Sequence, residues 1–173
     1  MTSPFITVPE LVTLLDSRKA PAILDASCVL HPAKFDGDYR RDSGRPRWLE
    51  SHITGSQHVD VPSQFSEPAA PLHYTHPTAQ AIADELARIG IRATDAVVVY
   101  DATGGLFAAR LWYLLRWIGV DVRVLDGGLS AWIAAGSSVS IGDESAGIPV
   151  APWTVSVTGD AWITKDELVE RSE

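Results

Sequence analysis

The sequence predicts an α/β fold, with a central parallel sheet and helices on both of its faces. Two short, nearly continuous apolar runs, Val97-Val98-Val99 and Val122-Arg123-Val124-Leu125, suit strands that are covered on both sides. Strand-like and helix-like segments alternate along the chain through short turns, the pattern of parallel strands joined by crossover helices. Between Ala96 and Trp117 the chain reads AVVVYD, ATGG, LFAARLWYLLRW. That is a buried strand, a tight glycine loop and an amphipathic helix in direct succession.

Taken in order, Thr7 and Glu10 form a capping box for a short helix over Pro9–Ser17, with Leu11, Val12, Leu14 and Leu15 on its apolar side. Ala22–Asp25 reads as a buried strand. A polar stretch punctuated by Pro and Gly, from about Leu30 to Glu50, reads as a long loop. His52-Ile53-Thr54-Gly55 is a turn leading into a strand at Gln57–Val59, and the Pro/Ser-rich segment Pro62–Pro77 is a second loop. Ile82, Leu86 and Ile89 recur at helical spacing, which predicts a helix from Thr78 to Ile89 that Gly90 stops. Ala96–Tyr100 is the next strand, Phe107–Ile118 a helix ended by Gly119, Val122–Leu125 a strand and Leu129–Ala135 a short helix. Gly136–Gly159 mixes Ser, Gly, Pro and Asp without a period, so it reads as a linker, with a short strand at Thr154–Val157.

The chain has 173 residues, 46% of them hydrophobic, enough for one domain with a real core. A net charge of −8 argues against a nucleic-acid partner. The local arginines Arg40, Arg41, Arg45 and Arg47 are cancelled by Asp36, Asp38, Asp42 and Glu50. The start, MTSPFITVPELV, lacks a basic region followed by an apolar one, and no run approaches the roughly 18 apolar residues of a membrane span. A single cysteine, Cys28, allows no internal disulfide. These features point to a cytoplasmic protein without membrane or nucleic-acid partners. His73 and His76 lack the four-ligand company that zinc needs, so no metal and no cofactor are expected.

The strand–loop–helix junction is the chemically informative place. Successive loop N–H groups and a helix amino terminus aim partial positive charge at one spot, where anions are held and nucleophiles displayed. Asp101 stands at the end of that strand. Cys28 has apolar Val29 and Leu30 beside it and neither glycine N–H groups nor a neighbouring cation, which reads as a structural thiol. A second signal is a recurrence: Ile6-Thr7-Val8-Pro9-Glu10-Leu11-Val12 and Ile163-Thr164-Lys165-Asp166-Glu167-Leu168-Val169 agree at five of seven positions. Either a common helix start recurs by accident, or a second copy of the domain opens near Asp160. The second alternative divides the chain into a domain over residues 1–136, a linker over 137–159 and the start of a truncated second domain over 160–173.

Five segments together resemble the rhodanese family, more narrowly the amino-terminal domain of the tandem thiosulfate and 3-mercaptopyruvate sulfurtransferases. They are Ile23-Leu24-Asp25-Ala26-Ser27, His52-Ile53-Thr54-Gly55-Ser56, Val98-Val99-Tyr100-Asp101, Ala108-Ala109-Arg110-Leu111-Trp112 and Val124-Leu125-Asp126-Gly127-Gly128-Leu129-Ser130-Ala131-Trp132. The resemblance implies a sulfurtransferase whose persulfide-forming cysteine lies in a carboxyl-terminal partner domain. Asp101 occupies the cysteine-equivalent place here, so this chain alone is expected to be inactive on its small sulfur-containing substrate. It also implies that His52 and Asp42 support the cleft between the domains, with a cap of the turn or a backbone hydrogen bond as the alternative role for His52. Thr54 replaces the family's usual proline in that turn. Asp60 matches the family in a structural part. Arg110 after Ala-Ala also matches the family, and a structural ion pair with Asp101 or Asp126 is expected for it, with a ligand role as the alternative.

Other chemistries fit less well. A phosphatase with an aspartate nucleophile would need a further carboxylate after Asp101, and Ala102-Thr103 supplies none. The hydrolase elbow fails at Trp132, and no dinucleotide fingerprint follows a strand. A stand-alone, non-catalytic binding module of the same fold remains the alternative to an enzyme half.

Overall fold

A computed structural model describes residues 3–144, 147–157 and 161–172. Phe5–Ile6 form β1, a two-residue strand too short to show a period in sequence. Helix α1 covers Val8–Leu15, and the Thr7 N–H donates to Glu10 Oε2 at 2.8 Å across the capping box. The remaining strands are β2 (Ala22–Asp25), β3 (Cys28–Leu30), β4 (Arg41–Ser43), β5 (His52–Ile53), β6 (Ser56–His58), β7 (Val97–Tyr100), β8 (Val122–Leu125) and β9 (Val139–Ser140). The remaining helices are α2 (Arg45–Glu50), α3 (Val61–Gln64), α4 (Ala79–Arg88), α5 (Leu106–Trp117), α6 (Gly128–Ala134) and α7 (Lys165–Glu170).

Five strands form one parallel sheet in the order β1-β8-β7-β2-β6. Side chains alternate across a strand, and the two faces sort accordingly. Leu24, Val97, Val99, Val122 and Val124 face a core completed by Ile82, Ala83 and Leu86 of α4 and by Leu111, Leu114 and Leu115 of α5. Ile23, Val98, Tyr100 and Leu125 face the other way, against Val8 and Leu11 of α1 and Trp132 of α6. Each wholly buried Leu or Ile contributes about 1.5–3 kcal/mol of transfer free energy. The predicted architecture is therefore present, with all its main helices and strands displaced by no more than about two residues at their ends.

The segments read as loops contain more structure than their composition suggests. The stretch 30–50 carries β4, which pairs antiparallel with β3, and helix α2; the stretch 62–77 opens within α3. Both are held by tertiary partners, as when Trp48 of α2, 3% exposed, donates from its indole N–H to Ser56 Oγ at 3.1 Å. Residues 154–157 form no strand. The segment expected to be a linker is bound to the domain body instead. Strand β9 pairs antiparallel with β5, the Gly147 N–H donates to Gln57 Oε1, and the Val150 N–H donates to the Ala87 carbonyl at 2.9 Å. Trp153 and Val155 pack on the α4–α5 core. The expected boundary at Gly159–Asp160 lies outside the described residues.

Beyond it, α7 repeats the capping box, with the Thr164 N–H donating to Glu167 Oε2 at 2.7 Å and the Glu167 N–H to Thr164 Oγ1 at 3.2 Å. Trp162 stacks on His76 with ring centroids 4.1 Å apart and meets Tyr113 and Trp117 edge-on.

Gln80 grips the tail from both sides: its Nε2 donates to the Trp153 carbonyl at 2.9 Å, and its Oε1 accepts from the Val155 N–H at 3.2 Å. We expect Gln80→Ala to accelerate amide exchange at Val155 while costing the whole domain only about 1 kcal/mol. Unchanged protection at Val155 in hydrogen-exchange NMR would show that the tail is held otherwise.

Candidate functional site

Strand β7 ends at Tyr100 and delivers Asp101 to the carboxyl edge of the sheet, where open α/β sheets place their ligands. The Asp101 side chain is 3% exposed. Its Oδ1 accepts from the N–H groups of Thr103 at 2.9 Å and Gly105 at 2.7 Å. Its Oδ2 accepts from the N–H groups of Phe107 and Ala108, both at 3.1 Å. Gly105 has φ of 91°, a left-handed conformation that turns the loop so that its own N–H and those of the first turn of α5 converge. A carboxylate offers about four lone-pair sites, so four donors saturate it. The anion cradle foreseen at this junction exists, and the chain's own aspartate fills it.

Two neighbours lock the loop. Ser27 Oγ accepts from the Ala102 N–H at 2.9 Å, while the Ser27 N–H donates to Asp25 Oδ1 at 2.7 Å. Gly128 lies so close that a Cβ there would stand 2.4 Å from the Asp101 carbonyl oxygen. The Leu129 N–H donates to that same oxygen at 3.3 Å. A crevice of about 280 Å³ opens beside the loop, between the Asp101 and Asp126 turns.

Beneath the site runs a buried polar network. Ser56 Oγ and Tyr100 Oη lie 3.0 Å apart, and the Ile53 N–H donates to Tyr100 Oη at 3.2 Å. Burial pushes the Asp25 carboxyl up, opposed by its hydrogen bonds to Ser27 and Tyr100. Burial also pushes the Tyr100 phenol well above its ordinary range, and the Asp25 charge adds to that rise.

The other anticipated residues are found apart from this loop. His52 is fully buried, stacked on Trp48 with ring centroids 4.0 Å apart. Its Nδ1 is 2.7 Å from the Trp48 carbonyl, which can only accept, so Nδ1 carries the hydrogen. That is the backbone role weighed as its alternative. His52 Nε2 stands 3.3 Å from Glu144 Oε1, within ion-pair reach but not aligned as a hydrogen bond. Burial acts to raise Glu144, yet its bonds to Ser140 and the Gly55 N–H, with the nearby His52, outweigh this and leave it below its ordinary value.

Asp42 is exposed and pairs with His31 Nε2 at 2.8 Å, not with His52. Asp60 pairs with Arg41 at 3.2 Å.

The expected ion pair of Arg110 with Asp101 or Asp126 is not formed. Its Nη2 donates to the Tyr74 carbonyl and to Ser66 Oγ, because Asp101's oxygens are already saturated by the loop. Cys28 is buried and its thiol donates to the Asp42 carbonyl at 3.4 Å. Burial raises its pKa, with the nearby Arg41 only partly offsetting this, which favours the thiol over the thiolate. Ser27, Ser66 and His31 escaped sequence reasoning. Their partners lie far off in sequence: Ala102 for Ser27, Arg110 for Ser66 and, across the β3–β4 pair, Asp42 for His31. Among the described residues no group of three or more His, Cys, Asp or Glu forms a metal site.

Asp101→Asn keeps the shape but turns an amide NH2 toward two N–H donors. We expect it to destabilise the domain by roughly 3 kcal/mol, read from the urea midpoint at constant m-value. A loss below about 0.5 kcal/mol would mean that the four hydrogen bonds are not energetically coupled to folding.

Comparison with known proteins follows the same lines. A family model described as a rhodanese-like domain matches residues 7–135. A probable 3-mercaptopyruvate sulfurtransferase of Pseudomonas aeruginosa is 39% identical over 103 residues, covering 57% of this chain and 36% of that protein. The human 3-mercaptopyruvate sulfurtransferase is 36% identical over 123 residues, covering 69% of this chain and 39% of that protein. The matched part of the chain thus spans well under half the length of these relatives. The crystal structure of SseA from Escherichia coli matches the fold with a TM-score of 0.79 at 22% identity, over 99% of this chain and 62% of that one. On the sheet order, the Asp101 junction and these matches together, the chain belongs to the rhodanese family.

Proposed function

We propose that this chain is the amino-terminal, non-catalytic domain of a two-domain sulfurtransferase. The whole protein would move sulfur from thiosulfate or 3-mercaptopyruvate to a thiophilic acceptor such as cyanide or a thiol. The observation that carries this reading is the saturated carboxylate of Asp101 in the place where a sulfur-carrying residue would stand.

Sulfur transfer needs a thiolate that attacks the donor's terminal sulfur and forms the S–S bond of a persulfide. The donor's own bond to that sulfur breaks, the electron pair leaving with sulfite or with the enolate of pyruvate. The loop N–H groups would lower the thiol pKa and then hold the anionic persulfide. A carboxylate in their midst does neither, and its charge repels an anionic donor. The same four hydrogen bonds make Asp101 a poor nucleophile, which weakens the phosphatase alternative. Cys28, buried and protonated, lies outside the cradle. The domain's part is then to form one wall of the cleft and to support a carboxyl-terminal partner domain that brings the cysteine.

The size of the relatives supports this division, since each is more than twice the matched length. The capping box at Thr164 supports it too, because it repeats the opening of the first domain. A reducing, cytoplasmic setting belongs to the same reading, supported by the single buried thiol; among the described residues no helix is long and apolar enough to cross a membrane.

We expect the chain alone to give no turnover above buffer with either donor and cyanide, and the Cys28→Ser variant to behave identically. Turnover that persists in Cys28→Ser would refute an inert Asp101, and turnover lost with that change would place the chemistry at Cys28. A third variant tests the cradle itself. Asp101→Cys in a Cys28→Ser background should react with iodoacetamide at pH 7 at least about tenfold faster than Cys28 does in the parent, because convergent N–H groups depress a thiol pKa.

A further inference from the structure

A second cavity, of about 490 Å³, shares no lining residue with the Asp101 crevice and is walled mainly by Leu30, Tyr39, Leu106, Phe107, Tyr113 and Trp162. Its size falls in the range of small-molecule sites, and such sites pair an apolar lining with a few fixed polar groups. Here the polar contribution comes from Arg110 and Tyr74, which complete the lining.

Arg110 is unusual in its company. It is half-buried, and among the described residues it takes part in no ion pair. Arg41, similarly half-buried and close by, is matched by Asp60. The guanidinium of Arg110 is left with neutral acceptors, Ser66 Oγ and the Tyr74 carbonyl, and with the face of the Tyr74 ring at 5.9 Å. Its Nε and the Tyr74 hydroxyl are buried without partners. Desolvation lowers the Arg110 pKa, yet an arginine remains charged at any physiological pH. A half-withdrawn cation without a counter-charge is costly, and an anion in the adjoining cavity would remove the cost.

Tyr74 adds an independent observation. It is the one non-glycine residue with positive φ, 60°, among those described. A bulky residue in that region is strained, and such strain gathers at ligand sites. Here it turns the Tyr74 carbonyl onto Arg110 while its ring meets Phe107 edge-on at 6.2 Å.

We propose that this cavity binds a small organic carboxylate with an apolar or aromatic body, its charge set against Arg110 and its body against Leu106, Tyr113 and Trp162. The inference does not depend on the sulfurtransferase reading. A bare inorganic anion is the wrong occupant, because the lining is almost wholly apolar and the chain's net charge of −8 opposes it. Apolar contact must supply most of the affinity, and the arginine the selectivity.

The test is titration of the chain, residues 1–173, with 3-phenylpropionate, its uncharged amide and sulfate at constant ionic strength. Binding is followed by amide chemical shifts and by tryptophan fluorescence. A ligand of this size is expected to bind with a Kd of about 1 mM or below, moving signals of residues 106–110 and of Trp162. The amide should bind about tenfold more weakly, and sulfate should move nothing in the cavity. Arg110→Met should erase the preference for acid over amide. If that variant does not fold, Leu106→Glu serves instead. Leu106 is 58% exposed at the first turn of α5, where an acidic residue suits the helix, and the new charge should weaken the carboxylate about tenfold. Equal binding of acid and amide, binding unaffected by both variants, shifts confined to other surfaces, or no binding of the acid at about 10 mM would each overturn the proposal.

Discussion

The structure turns on one carboxylate. Asp101 gathers four backbone N–H groups at the point where β7 passes into α5, where a helix amino terminus leaves its first N–H groups without intrahelical partners. A charged acceptor suits them because hydrogen bonds to ions are about twice as strong as neutral ones, and the helix amino terminus adds its own positive potential. The loop is thereby fixed from within. Ser27 and Gly128 lock it from outside, the first by accepting from the Ala102 N–H and the second by its close approach to the Asp101 carbonyl.

Arg110 is turned away from this loop. One turn into α5 from the cradle, it finds no free oxygen on Asp101 and reaches the strained Tyr74 carbonyl instead. The arrangement leaves a cation facing an apolar cavity on one side of α5 and a neutralised anion hole on the other.

The sheet transmits the same constraint sideways. Tyr100 immediately precedes Asp101 and points to the opposite face, where its hydroxyl joins Ser56 and the Ile53 N–H. Through Trp48 this network reaches His52, and through His52 and Glu144 it reaches the segment after α6. What composition marks as a linker is therefore part of the domain's wall. Its Pro, Ser and Gly content says nothing of this, because the contacts are made by single residues such as Val150 and Trp153, whose partners lie far away in the chain.

The sequence by itself determined the sheet, the two layers of helices and the chemistry at the end of β7. Apolar runs such as Val97-Val98-Val99 leave few alternatives to burial on both faces. A glycine loop entering an amphipathic helix must present its N–H groups together, and the identity of Asp101 needs no fold to be read. Local pattern suffices wherever the deciding forces act within a turn or along one strand. Only the tertiary structure decided the rest. It paired Asp42 with His31 rather than His52, denied Arg110 its ion pair, made α2 and α3 from stretches that read as loops, and set a tyrosine at positive φ. Each of those outcomes depends on which groups reach one another across distances in sequence that no period records, and on which acceptors are already taken when a side chain arrives.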